Sequence, residues 1–293
     1  MGPRRQASRE SPKKSREKPR RAATRPAPGE LRSRWERLHR GDREPWPDVA
    51  RIERLARKQR AFAAFLETQG GPGALARELQ SAWGEFHAGE FRAAIEHGER
   101  LGPLGASAAN KAAAVSTLYA APGAPEALAT LAAAVARAEA AVGMLPDYPN
   151  AHYLLALVLG RYSQRISILT ALAEGLGGRV RVHLERALVL EPRHAEAHLA
   201  LGLYHAEIVA KLGALTAGVA YGASRAAALE HFEHAVKLAP ASPIVLMEFA
   251  HGLLLLDGSR RERARQLYEQ AAACKPADAM ERLDAARARR GLQ

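Results

Sequence analysis

The chain has 293 residues, 47% of them apolar but only 5% aromatic, enough for a sizeable core built from Leu and Ala rather than from large rings. Its formal net charge of +12 suggests a nucleic-acid binder, yet residues 1–60 carry 20 Lys and Arg against 8 Asp and Glu, leaving 23 of each sign in the rest, so the body is neutral. A single cysteine, Cys274, excludes an intramolecular disulfide and a paired-cysteine zinc site, and it fits a reducing, cytoplasmic setting.

Residues 1–30 are rich in Arg, Lys, Ser and Pro with almost no large apolar side chain, so nothing offsets the entropy of ordering them. They show no secretory pattern, because no apolar stretch follows the basic residues. The longest uncharged run, 112–125, is far short of a bilayer span and holds two prolines. We expect a disordered basic tail over 1–45, a linking amphipathic helix within 46–73, and an α-helical repeat domain over 74–293. In the linker Asp48 is a candidate N-cap, and Val49, Ile52, Leu55, Gln59, Phe62 and Leu66 fall near one helical face. Arg51, Arg54, Arg57, Lys58 and Arg60 lie opposite, which fits a membrane-surface helix as well as a packing helix; packing is preferred because the segment leads straight into further helices. Gly70, Gly71, Pro72 and Gly73 end it. A helical pair is expected over 74–101, with a turn near Gly89, and the Gly and Pro content predicts loops at 101–110 and 122–125.

The strongest signal is an internal repeat. Ala141, Ala187, Ala235 and Ala271 each stand five residues before a proline, Pro146, Pro192, Pro240 and Pro276. Six residues after the first three prolines come His152, His198 and Leu246, each opening a helical pattern with Leu155-Ala156, Leu201-Gly202 or Phe249-Ala250 three and four residues on. A small residue lets two helix backbones approach, a larger one packs beside it, and the proline stops the second helix. One such hairpin cannot bury its own face, whereas stacked hairpins bury one another.

These residues resemble the tetratricopeptide repeat family. Ala228 and Phe232 with Pro240, and Ala264 and Tyr268 with Pro276, match its second-helix pattern well. Val180 and Leu184 with Pro192 match more loosely, and Ala134 and Ala138 with Pro146 are degenerate, so the resemblance covers about residues 146–276. It implies an all-α, TPR-like helical-hairpin solenoid with a concave binding face. Successive prolines lie 46, 48 and 36 residues apart, against about 34 for the family, so two hairpins are enlarged. The extra residues fall in 163–180 and 208–225, both apolar with a glycine-rich end. If half of each insert extends each helix, the hairpin lengthens by roughly 9–10 Å. Enlarged repeats of this kind are similar to those of the T component of tripartite (TRAP) periplasmic transporters, lipoproteins with a ligand-sized channel; the signal peptide and lipid-bearing cysteine of that family have no counterpart here.

Polar chemistry is sparse. His194, His198 and His205 invite a metal reading, but His198 and His205 occupy packing positions of the repeat and His194 falls in the turn after Pro192. His231 and His234, flanked by Glu230 and Glu233, read as a solvated face beside Phe232. No nucleophile elbow or Cys–His pattern is present, and Gly175, Gly177 and Gly178 follow no strand, so they read as a hairpin turn rather than a phosphate loop. We expect no enzyme, no metal and no cofactor. The leading expectation is a protein–protein scaffold that binds a partner segment on the concave face through Tyr153, Arg161, Leu199 and Tyr204. The alternatives are a carrier for a small hydrophobic ligand or lipid, with a pocket lined by Ile166, Ile168, Leu172, Leu212, Leu215 and Tyr221, and tethering to nucleic acid or an acidic surface through residues 1–45. An apolar cavity of several hundred Å³ between the hairpins favours the carrier, and a filled core favours the scaffold.

Overall fold

The computed structural model describes residues 25–119 and 125–292, and among these the chain is all α-helical. Five antiparallel hairpins stack in order. They are α4 (Pro72–Ala88) with α5 (Phe91–Arg100), α6 (Gly102–Tyr119) with α7 (Pro125–Met144), α8 (Pro149–Ser163) with α10 (Leu176–Leu190), α11 (Ala195–Leu212) with α13 (Arg225–Leu238), and α14 (Pro243–Leu256) with α15 (Arg261–Ala273). Short helices α9 (Ile168–Ala173) and α12 (Ala214–Tyr221) occupy the two inserts. Ahead of the stack lie α1 (Pro28–Leu38), α2 (Val49–Lys58) and α3 (Arg60–Thr68), and α16 (Ala279–Arg290) ends it.

The repeat chemistry behaves as its residues require. Ala187, Ala235 and Ala271 are fully buried, each one turn before the end of a second helix. Phe232 of α13 sits between Gly202 of α11 and Gly252 of α14; a β-carbon on either glycine would lie under 3 Å from its ring, so the aromatic fits only because both helices are bare there. Helix α7 has the length and apolar composition of a membrane-crossing helix. Leu131, Ala134, Ala138 and Ala141 are nevertheless buried, and the helix packs on α6 and α8.

The superhelix closes on itself. Helix α16 packs on α14 and α15 and also reaches α4, and its Met280 and Leu283 join the aromatic cluster of Trp35, Trp83 and Phe86. Arg34 and Arg37 of α1 donate to the backbone carbonyls of Ala277 and Lys275, which ties α1 to the start of α16.

Four expectations need correction. The basic tail does not extend to residue 45: α1 is helical, Leu31 and Trp35 are buried, and Arg25 pairs with Glu85 and Glu90, so residues 25–45 belong to the folded body. Residues 1–24 lie outside the described residues, as do 122–124 of the loop expected at 122–125, whose Pro125 opens α7. The linker is two helices, α2 and α3, separated at Gln59, whose backbone is extended. Asp48 caps α2 as expected, and Ile52, Phe62 and Leu66 are buried, which favours packing over a membrane surface.

The segment 101–110 is not a loop but the first half of α6. Its Gly105 faces Gly98 of α5 so closely that a β-carbon on Gly105 would stand 2.2 Å from the Gly98 carbonyl oxygen. These glycines serve helix contact, and Pro103 is tolerated in the first turn, where its missing N–H has no helical partner to lose. The inserts do not simply lengthen the paired helices. Gly175, Gly213 and Gly222, at φ of +62°, +76° and +58°, break the chain into the separate helices α9 and α12.

The Gly98–Gly105 contact yields a direct test. Gly105→Ala forces α5 and α6 apart and destabilises the protein by about 1–3 kcal/mol, whereas Gly143→Ala, at an exposed α7 position with nothing within 4 Å, is neutral or stabilising by up to about 1 kcal/mol. Urea denaturation of the two variants checks the contrast.

Candidate functional site

The first helices α8, α11 and α14 line the concave face, and its two ends differ. At the N-terminal ends of α8 and α11 the face is filled by the chain's own segment 39–48. The backbone N–H of Glu196 donates to the Gly41 carbonyl at 3.0 Å. A β-carbon on Gly41 would lie 2.8 Å from Glu196 Oε1, so this approach needs glycine.

A buried ion network fastens the segment. Lys111 of α6 donates to Asp42 at 2.5 Å and to both oxygens of Glu196 at 3.0 and 3.1 Å. Tyr153 donates to Glu196 at 2.7 Å. Glu44 accepts from Tyr148, from Asn150 at 2.7 Å and from Arg51 at 3.3 Å. His39 and His87 each turn Nδ1 to a carboxylate, Asp42 at 2.9 Å and Asp278 at 2.7 Å, and their Nε2 atoms meet at 3.1 Å. That contact needs one nitrogen to donate and the other to accept. Burial pulls His87 down against the pull of Asp278.

Burial pushes the Asp42 carboxyl up, but His39 and Lys111 outweigh this and hold it well below the usual carboxylate range. Burial likewise pulls Lys111 down, and Asp42 and Glu196 more than restore it. His194 shows the opposite balance. Its Nδ1 accepts from the Ala197 N–H as the N-cap of α11, its Nε2 donates to Asn150 at 2.8 Å, and burial drives it down to about 3. It is a neutral cap.

Toward the C-terminal ends of α8 and α11 the concave face opens into a cavity of about 580 Å³. Leu157, Leu203 and Ile208 from the first helices, Leu172 of α9, and Leu176, Val180 and Leu184 of α10 give it apolar walls. The far wall carries Glu248 of α14, flanked by Arg161 at 3.7 Å and Arg287 of α16 at 3.3 Å. Two guanidiniums on one carboxylate leave an excess positive charge there. Nearby Tyr119 donates to Asp284 at 2.5 Å and ties α6 to α16; burial raises that carboxyl to about 8.

The residues named from sequence divide accordingly. Arg161, Tyr204, Ile166, Leu172, Leu212 and Tyr221 line the cavity. Tyr153 is instead part of the buried network and Leu199 is buried in the core, so neither is open to a partner. Leu215 is exposed and does not line the cavity, and Ile168 begins α9. Gly175, as expected, makes a turn.

The histidines pack as pairs. His198 and His231 face each other through Nδ1 at 3.0 Å, with His198 Nε2 donating to the Pro192 carbonyl. His152 and His183 repeat this at 3.0 Å one hairpin earlier, with the Pro146 carbonyl. His234 stacks on His198 and His205 on His231. Among the described residues no group of three or more His, Cys, Asp or Glu is placed to hold a metal ion. Apart from the Asp48 cap, sequence reasoning missed the role of segment 39–48; its one visible signal was a pair of tryptophans, Trp35 just before it and Trp46 within it.

The fold is that of a tetratricopeptide-like helical-repeat protein, with a pocket on its concave face. A solved thermophilic TPR protein, TTC0263 of Thermus thermophilus, shares the fold with a TM-score of 0.53 at 19% identity, over 73% of this chain and 98% of its own. Human IFIT1, solved as a dimer with PPP-AAAA, aligns at a TM-score of 0.40 and 17% identity, over 76% of this chain and 57% of its own. No curated protein matches. A family described as regulator of microtubule dynamics protein 1-3 matches residues 108–292, more than half of the chain, and the chain belongs to that family. The match starts inside α6 and takes in every residue that lines the cavity, whereas α1–α5 precede it.

Two outcomes follow from the network. Lys111→Met strands two buried carboxylates and costs about 3–5 kcal/mol of stability, a large part of which returns when Asp42→Asn and Glu196→Gln are added; chemical denaturation of the single and triple variants checks both halves. His194, held far below its unfolded value of 6.5, contributes its full stabilisation above that pH and loses it as the pH falls toward 3. Between pH 7 and 5 it accounts for a loss of about 2 kcal/mol. His194→Asn keeps a capping oxygen that does not titrate, so its stability profile is flatter by about that amount.

Proposed function

We propose that the protein is a binding module, not an enzyme, whose concave cavity holds a small apolar or amphiphilic ligand. The observation that supports this is the cavity itself. Its volume of about 580 Å³ falls within the roughly 300–1,000 Å³ of small-molecule sites, and both enlarged hairpins contribute to its walls. The excess positive charge at Arg161, Glu248 and Arg287 suits a ligand with one anionic end. We infer a cytoplasmic setting, in which the lone thiol of Cys274 stays reduced.

A second reading has its own support. The family is described by regulation of microtubule dynamics, which suits a scaffold that grips a partner protein, and the same cavity would then seat an apolar side chain of that partner. Tethering to nucleic acid or an acidic surface draws its charge mainly from residues 1–24, since Arg25, Arg34 and Arg37 are engaged with the folded body, whereas Arg40 and Arg43 stay exposed.

Leu203→Trp puts a bulky ring on the cavity wall, and its effect on what the protein carries tells the two readings apart. Mass spectrometry of an organic extract of the purified wild type is expected to show a small molecule at near-stoichiometric amount. The same extract of Leu203→Trp is expected to hold at least about tenfold less with unchanged helicity. An extract empty for both proteins, alongside a partner captured by the wild type and lost by the variant, would replace the carrier with the scaffold.

A further inference from the structure

The two insert helices expose what a soluble surface normally hides. In α9 Leu169 is 75% exposed, and in α12 Leu215 and Val219 are 82% and 84% exposed. Ala217 is the one residue of α12 that is buried. No charged side chain occurs in 166–173 or 212–224. Both helices sit at the turn between the first and second helices of consecutive hairpins, so they project from the same edge of the stack. Apolar exposure concentrated on two uncharged helices marks a surface suited to meet something other than water.

We propose that α9 and α12 form a docking edge for an anionic lipid bilayer, with Leu169, Leu215 and Val219 entering the interfacial region. The side-chain chemistry separates a bilayer from a protein partner. Protein hot spots are built from Trp, Tyr and Arg in closely fitted pockets, with Leu and Val under-represented, whereas an interfacial helix needs only apolar area with basic residues beside it. Arg165 precedes α9, Lys211 precedes α12 and Arg225 follows it. Lys211 is held in a surface ion pair with Glu207, and Arg179 and Arg181 beside the inserts pair with Glu139 and Glu185. The long-range attraction therefore comes chiefly from the excess of basic residues in 1–60, the rest of the chain being neutral; it draws the chain to an anionic leaflet. The helices supply the penetration that charge alone does not.

Leu172 is half exposed on this edge and also lines the cavity, so the docked edge brings the cavity wall to the membrane. The inference rests on the surface and stands whether or not the cavity carries a ligand.

The test uses the full chain with Cys274→Ser and Val219→Cys, labelled at 219 with an environment-sensitive nitrobenzoxadiazole, and vesicles of phosphatidylcholine with and without phosphatidylserine. A blue shift at position 219 on the anionic vesicles is expected, together with quenching by nitroxide lipids. In the otherwise native chain, Leu169→Asp, Leu215→Asp and Val219→Asp together are expected to lower the vesicle partition coefficient at least about tenfold with no change in the unfolding midpoint. Vesicle binding with an unshifted label would mean attachment by the basic N-terminal residues alone and would overturn the proposal. A blue shift without vesicles that grows with protein concentration would make the edge a contact between copies of the chain and overturn it equally.

Discussion

Lys111 cannot leave water without carboxylates to meet it, and that requirement governs how the chain is arranged. An ammonium group buried on α6 needs counter-charge at contact distance. The structure supplies it from two directions, Asp42 of the N-terminal segment and Glu196 at the start of α11. Three parts of the chain far apart in sequence are thereby held at one point. Once Asp42 is in place, His39 and Glu44 follow, and each finds partners on other helices: His87 on α4, Tyr148 and Asn150 at the entry to α8. The network is nearly complete; Arg51 Nη2 is its one buried side-chain atom without a hydrogen-bond partner. Replacing such a network by apolar groups of equal volume is often neutral for stability, so its physical role here lies in register. It specifies where residues 39–48 sit against the repeats.

The same economy of position shows in the repeat contacts. Phe232 replaces two ordinary contacts by filling the space over Gly202 and Gly252, which locks α11, α13 and α14 together around one ring. Histidine at 152 and 198 takes the place of a large apolar residue. It remains neutral because each ring donates to the proline carbonyl that ended the preceding hairpin and accepts from a histidine on its partner helix. Burial lowers all four rings, in agreement with that assignment.

The hairpins were legible in the sequence because their determinants are local: Ala141, Ala187, Ala235 and Ala271 lie a few residues from the prolines that end their helices. The apolar inserts were legible for the same reason, and six of the ten residues named for binding do line the cavity. What was not legible depends on partners remote in sequence. Asp42 and Lys111 are 69 residues apart, and His87 and Asp278 are 191 apart; in the sequence each is an ordinary charged or titratable residue in a helical protein. A tail rich in Arg reads as disordered until Trp35 finds Trp83 and Arg34 finds the Ala277 carbonyl. Glycine carries a further ambiguity. Gly98 and Gly105, which permit close helix contact, look the same in sequence as Gly213 and Gly222, which break a helix, and only the second pair signals a turn.

The closed superhelix also changes what its concave face is suited to hold. An extended peptide needs a continuous track across successive first helices. Here the track is interrupted: residues 39–48 cover the start of α8 and α11 through Glu196 and Asn150, and α16 closes the far side through Arg287 and Asp284. What remains is a pocket of bounded size whose walls come from the first helices and the two inserts together. Binding energy in such a pocket derives from apolar burial against Leu157, Leu203, Val180 and their neighbours, with the guanidiniums beside Glu248 giving direction to a charged end. A pocket with that division of labour suits a compact amphiphile better than an extended chain, which is the reason the carrier is proposed ahead of the groove-binding scaffold.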